Sequence, residues 1–155
     1  RSLVGSEMCI RDRHYTIVTS GANIAIELSQ RSRSTVSCVG GQISSSTLSL
    51  SGPQAEAFLA TVNIDTAVLA ATGYSAGAGF TVGSYTENSL KRRVIQKADK
   101  VILLIDRSKL GRTLPFTFAS LSDIDVVICD APLSEDFIQA ARAAGTEVLQ
   151  VQPSK

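Results

Sequence analysis

Tryptophan is missing from this chain, and histidine and methionine occur once each. With His14 as the only imidazole, a Ser-His-Asp set has no base, and no catalytic residue is assigned. The three cysteines, Cys9, Cys38 and Cys129, show no CxxC or other metal spacing, so no metal site is expected. Cys38 and Cys129 fall inside apolar, strand-like runs, which predicts buried, reduced thiols and a cytoplasmic protein. Charge of one sign is also lacking. With 15 basic and 14 acidic residues the net charge is +1, too little to draw nucleic acid or a membrane surface to this chain. No apolar run approaches the ~20 residues of a membrane span. Neither a GxGxxG nor a P-loop lysine is present, and no cofactor is expected. Gly40 and Gly41 fit either a tight turn or a phosphate cradle.

What the chain has instead is aliphatic bulk: 44% of its residues are hydrophobic and only 5% aromatic, enough for a Val/Ile/Leu/Ala core in one domain. The stretch 84–111 organises the rest. Ser84 stands three residues before Glu87, the capping-box spacing, and Leu90, Val94, Ile95 and Ala98 recur at helical spacing. Residues 101–105 (VILLI) form a continuous aliphatic run, which predicts a central parallel strand buried on both faces. That strand ends in Asp106, Arg107, Ser108, Lys109, Leu110 and Gly111.

Around this stretch the chain alternates. Strands are predicted at 15–19, 35–39, 66–71, 116–119, 126–129 and 147–151. Helices are predicted at 22–30, from Pro53 through Thr61, and from Pro132 and Ser134 to the stop at Gly145. Residues 72–82, rich in small residues, read as a flexible loop. The alternation predicts an α/β fold: a mainly parallel sheet with helices on both faces, Rossmann-like. Residues 1–13 (RSLVGSEMCIRDR) have no sustained period and resemble translated sequencing-adapter DNA. They read as a foreign or disordered segment that adds little to the fold, leaving 14–155 as the domain and a natural chain that continues upstream.

Seven short motifs in register carry a resemblance. They are Ile17-Val18-Thr19-Ser20 before Asn23-Ile24-Ala25; Gly40-Gly41; Leu48-Ser49-Leu50-Ser51-Gly52-Pro53 with Glu56; Gly79-Phe80-Thr81; Glu87 with Lys91-Arg92; Ile105-Asp106-Arg107-Ser108-Lys109-Leu110-Gly111; and Ile124-Asp125-Val126-Val127-Ile128-Cys129-Asp130. Their order resembles the C-terminal sensor domain of DeoR-family transcriptional regulators. The resemblance implies a ribose-5-phosphate isomerase-like fold, a phosphorylated sugar as effector and a homo-oligomer. It also implies DNA contact only through an N-terminal helix-turn-helix domain, which this sequence does not contain, and no membrane partner. Two departures stand out. The family's Asp-Ser-Gly-Thr-Thr-like phosphate loop is missing upstream of the first matching strand, so this reads as a truncated fragment. Ala71-Thr72-Gly73 stands where the family usually has Ala-Asp-Gly, so a carboxylate is lost at a position resembling an acid/base position of the related isomerases. That favours a non-enzymatic repressor domain over the alternative, a sugar-phosphate isomerase of the same superfold.

A sugar phosphate asks for cations and N–H groups at its dianion, and for carboxylates and amides at its hydroxyls. Open α/β sheets bind ligands where their strands end. Lys109 is therefore the first candidate for ligand charge and Lys91 the second, with Glu87 and Asp106 beside them. Glu87 and Lys91, four residues apart, equally fit a solvated helix-face ion pair. Asp106 equally fits a loop-capping residue. Thr19, Ser20 and Gly21, at another strand end, can hydrogen-bond the sugar or simply turn. Gly73 and Gly79 would give a loop over the ligand its freedom.

Overall fold

The structure is a computed structural model, which describes residues 14–152 and the backbone of residues 2–4. In chain order the elements are β1 (Ser2–Val4), β2 (Thr16–Thr19), α1 (Ala22–Arg31), β3 (Thr35–Cys38), β4 (Gln42–Ile43), β5 (Leu50–Ser51), α2 (Pro53–Ala60) and β6 (Ile64–Ala70). Then follow β7 (Gly73–Ser75), β8 (Gly79–Val82), α3 (Tyr85–Lys97), β9 (Ala98–Ile105), β10 (Phe116–Ala119), β11 (Val126–Asp130), α4 (Glu135–Ala143) and β12 (Glu147–Val151).

Seven strands form one sheet in the order β12-β11-β9-β6-β1-β2-β3, and every pairing in it is parallel. The order reverses between β1 and β6: from β1 the chain steps outward to β3, and from β6 it steps the other way to β12. Right-handed crossovers then place the two sets of helices on opposite faces. Packing agrees. Ile17 and Leu28 form a small core under α1, whereas the next residue, Val18, joins the large core with Leu59 (α2), Leu90 and Val94 (α3), Phe137 and Ala141 (α4), Leu103 and Val127. Neighbouring residues of a strand point to opposite faces, so α1 covers one face and α2, α3 and α4 the other. No helix among the described residues is long and apolar enough to cross a membrane.

Four expectations need correction. Residues 1–13 do not all stay apart from the fold: Ser2–Val4 pairs with β2 on one side and β6 on the other. Ladder hydrogen bonds need only backbone groups, so three residues can join a sheet without any hydrophobic period. Arg1 and residues 5–13 lie outside the described residues.

Second, β9 is central, but it is buried on one side only. Val101, Leu103 and Ile105 are buried, while Ile102 and Leu104 between them are half-exposed on the α1 face, where α1 packs over β2 and β3 and leaves β9 open. Third, residues 72–82 are not a loop. Gly73–Ser75 and Gly79–Val82 form a hairpin, and β10 completes a three-stranded antiparallel sheet. Gly79 allows the turn with φ of +77°, in a place where a Cβ would fall 2.4 Å from the Ala119 carbonyl oxygen. Much of the scarce aromatic content gathers here: Tyr74 lies 4.7 Å from Phe80 and 5.1 Å from Phe137 of α4, centroid to centroid. Fourth, Cys38 is exposed at the end of edge strand β3, whereas Cys129 is buried; both are free thiols, and Cys9 lies outside the described residues.

Candidate functional site

Doubly wound sheets bind ligands at the carboxyl ends of the strands, where the strand order reverses. Here that place lies between β6 and β2, with β1 ending at Val4 between them, level with Ala67 and Val18. A cavity of about 260 Å³ opens at this point. Thr19, Ser20 and Gly21 from the end of β2 line it, with Val68, Leu69 and Ala70 from β6 and Glu87, Leu90, Lys91 and Val94 from α3. A second chamber of about 480 Å³ shares Thr47, Ser49 and Glu87 with the first, and adds the hydroxyls of Ser44, Ser46, Ser51, Thr72, Ser84 and Thr86.

Helix α3 sets the charge. Ser84 caps its first turn by accepting the Glu87 N–H at 3.5 Å. The Glu87 carboxylate turns to Lys91 one helical turn on, with Nζ 3.6 Å from Oε1. Lys91 Nζ also donates to the Ala70 carbonyl at the end of β6 and stands 5.2 Å over the Phe118 ring. Its side chain is only 15% exposed, and burial lowers its pKa while Glu87 pulls it back up. An ammonium has three donors, and the contacts with Ala70 and Glu87 leave one without a protein partner among the described residues.

Opposite α3, Thr19 Oγ1 accepts the Gly21 N–H at 3.1 Å, and the Ser20 carbonyl accepts the Leu50 N–H at 2.7 Å. The Leu48 carbonyl accepts the Ala22 N–H at 2.9 Å, so residues 44–50 are pinned against the end of β2. This brings Thr47 and Ser49 to the site. Sequence reading missed both, because the contacts that hold this loop, Leu48 to Ala22, Ser49 to Gly21 and Leu50 to Ser20, span more than two dozen residues and no local spacing signals them.

Of the residues expected to bind ligand, Thr19, Ser20, Gly21, Glu87 and Lys91 surround one cavity, while Lys109, Asp106 and Gly73 line neither chamber. Asp106 caps a 3₁₀ turn, Arg107–Lys109, accepting the Ser108 N–H at 2.9 Å and the Ser108 hydroxyl. Lys109 closes that turn with its own N–H on the Asp106 carbonyl at 3.0 Å. Arg107 is taken by Asp130, which accepts its N–H at 2.6 Å and lies 3.6 Å from its guanidinium; the Arg107 N–H holds the Asp130 pKa below the usual range. Gly73 is packed tight, since a Cβ there would fall 2.6 Å from both the Arg112 carbonyl oxygen and Leu114 Cδ1.

A family model described as the DeoR C terminal sensor domain matches residues 4–131. The HTH-type transcriptional regulator GlpR of Haloferax volcanii is 36% identical over 132 residues, covering 85% of this chain and 51% of that protein. The HTH-type transcriptional repressor GlcR of Bacillus subtilis is 31% identical over 134 residues, 86% of this chain and 52% of the repressor. The uncharacterized HTH-type transcriptional regulator YulB of the same organism is 31% identical over 144 residues, 93% of this chain and 56% of its own length. The chain thus spans about half the length of these relatives. On the match over residues 4–131, the chain belongs to the family of DeoR C-terminal sensor domains.

Proposed function

We propose that this chain is the effector-binding domain of a DeoR-type transcriptional repressor of sugar metabolism, and that the cavity at the strand-order reversal takes a phosphorylated sugar. Lys91 carries the proposal. Its ammonium is held at the cavity wall with a donor to spare, in surroundings dry enough to strengthen any anion contact. Glu87 and the hydroxyls of the second chamber would take the sugar hydroxyls. Two relatives named as a regulator and a repressor of the helix-turn-helix type support a partner domain that touches DNA. In this reading the domain acts from a cytoplasmic homo-oligomer. An effector would then release or secure DNA only by binding the two states unequally.

The alternative, an isomerase, would need Glu87 to move a proton beside a carbonyl. Thr72 in the second chamber offers no acid to help it. Calorimetric titration with a panel of aldose and ketose phosphates, their unphosphorylated sugars and inorganic phosphate tests the reading. One sugar phosphate should bind and be recovered unchanged. Equal binding of its unphosphorylated sugar would defeat the phosphate assignment, and turnover at an enzymatic rate would install the isomerase.

A further inference from the structure

Among the described residues other than glycine, Leu48 alone has a positive φ, at 55°. Leucine avoids this backbone because its Cβ crowds the following carbonyl oxygen. Such strain persists where the surroundings over-determine it, and it gathers at ligand clamps and switches. Here hydrogen bonds hold it, not packing. The Leu48 side chain is 45% exposed and belongs to neither apolar core. Its N–H donates to the Ser44 carbonyl at 2.8 Å, and its carbonyl accepts the Ala22 N–H at 2.9 Å. One group ties the loop to itself, and the other ties it to α1. Ser49 bridges Gly21 in antiparallel fashion, and the Leu50 N–H reaches the Ser20 carbonyl. Thr47 and Ser49 flank Leu48, with their hydroxyls 2.7 Å apart. These two and Glu87 are the residues common to both chambers, whereas Leu48 lines neither. The boundary between the chambers is therefore Glu87 of α3 on one side and the two neighbours of a strained leucine on the other.

We infer that residues 44–49 form a strap that closes over the effector, and that the left-handed backbone of Leu48 is its latch. The inference rests on the reading of the cavity as an effector site. An effector that meets Lys91 in the first chamber and the hydroxyls of Ser84 and Thr86 in the second passes between Glu87 and the strap, beside Thr47 and Ser49. Closed, the strap lends it two hydroxyls. Open, it lends none. That difference in contacts is what lets a ligand shift the balance between the two states. The one leucine of the strap is exposed, so no buried apolar side chain anchors it, and segments held in this way open at low cost. When Leu48 returns to the negative φ that leucine prefers, its carbonyl turns away from Ala22, and Thr47 and Ser49 leave the chamber wall together. Leu48 is thus a positioning residue: it touches no ligand and acts through its two neighbours.

Amide hydrogen exchange on the full chain gives the test. The amides of Ala22 and Leu50 report the strap, and that of Leu103, inside β9, reports the sheet. Without ligand, Leu48→Asn, which tolerates a positive φ, should slow exchange at Ala22 and Leu50 roughly five- to thirtyfold, the scale of the left-handed penalty. Leu48→Val, whose branched Cβ bars that backbone, should speed exchange there by about fivefold or more. Leu103 should not change in either variant. The panel of sugar phosphates is then added. The one that binds, at roughly ten times its Kd, should slow exchange at Ala22 and Leu50 of the parent about tenfold. It should bind Leu48→Val about fivefold or more weakly, since less of that protein is closed, and Leu48→Asn at least as tightly as the parent. Equal exchange at Ala22 in all three proteins, or a change at Leu103 alongside it, would overturn the latch. Binding that leaves exchange at Ala22 and Leu50 unchanged would overturn the strap and leave the phosphorylated-sugar reading standing. A panel in which nothing binds would defeat that reading, and the closing strap with it.

Discussion

The end of β9 and the mouth between β2 and β6 both place charge where a parallel strand stops, yet they use it differently. Past β9, Asp106, Arg107 and Asp130 are spent on one another and on a 3₁₀ turn, and Lys109 rides on that turn outside both chambers. At the mouth, Lys91 and Glu87 face each other across the wall of a cavity, under a strand end and beside a hydroxyl-rich loop. Both sites satisfy the rule that ligands bind at strand ends. What separates them is the order of strands. β9 is flanked on both sides by strands that step in the same direction, and the 3₁₀ turn with Asp130 follows directly on its end. Between β6 and β2 the winding reverses, the connections diverge, and a gap is left.

The largest test of this contrast swaps the two lysines' importance. Once an effector is in hand, Lys91→Ala should weaken its binding roughly ten- to a hundredfold, the loss of a charge-assisted contact of ~1.5–3 kcal/mol. Lys109→Ala should change it by less than about threefold, the scale of a screened surface charge. Calorimetry on both variants decides, and the reverse ranking would move the site to the end of β9.

Gly73 sharpens the comparison through stability. It was expected to lend freedom to a loop, but it lies inside a sheet with no room for a Cβ. Gly73→Ala should cost about 1–3 kcal/mol through overpacking and lower the melting temperature. Effector affinity measured below the transition should hold. An unchanged melting temperature would mean the contact with Arg112 and Leu114 relaxes freely.

How much of the fold and site is legible in the sequence follows the same divide. Periodicity found the strand at 101–105 and the helix behind it, because both signals are local. Continuous apolarity said nothing of which side would be covered, so Ile102 and Leu104 were misjudged; coverage depends on where α1 crosses, which is a matter of topology. Glu87 and Lys91 were found as a pair because four residues make one turn. Thr47 and Ser49 were not, because only the fold brings them to β2. The hairpin at 73–82 was hidden by glycines that look like slack and act as clearance, with Tyr74 and Phe80 supplying the packing.

Asp106 offers a smaller effect. If it serves the turn and not a ligand, Asp106→Ala should cost ~0.5–2 kcal/mol of stability, as lost caps do, and leave affinity intact. Thermal melts paired with titrations read both. A drop in affinity larger than the drop for Lys91→Ala would return this carboxylate to the binding site.

The smallest effect is on pH, and its sign is specific to a buried lysine. Burial lowers the Lys91 pKa from its ordinary 10.5. Between the lowered value and 10.5 the folded protein binds fewer protons than the unfolded chain, so this residue makes stability rise with pH in that window. The same deprotonation removes the charge proposed to meet the phosphate, so effector affinity should fall as pH rises through the window. Two slopes of opposite sign therefore come from one group. Titrations and melts run upward in pH towards 10.5 should show both in the parent. Lys91→Arg, whose guanidinium keeps its proton, should flatten both slopes. If affinity falls with pH equally in Lys91→Arg, another group titrates and Lys91 is not the phosphate's partner.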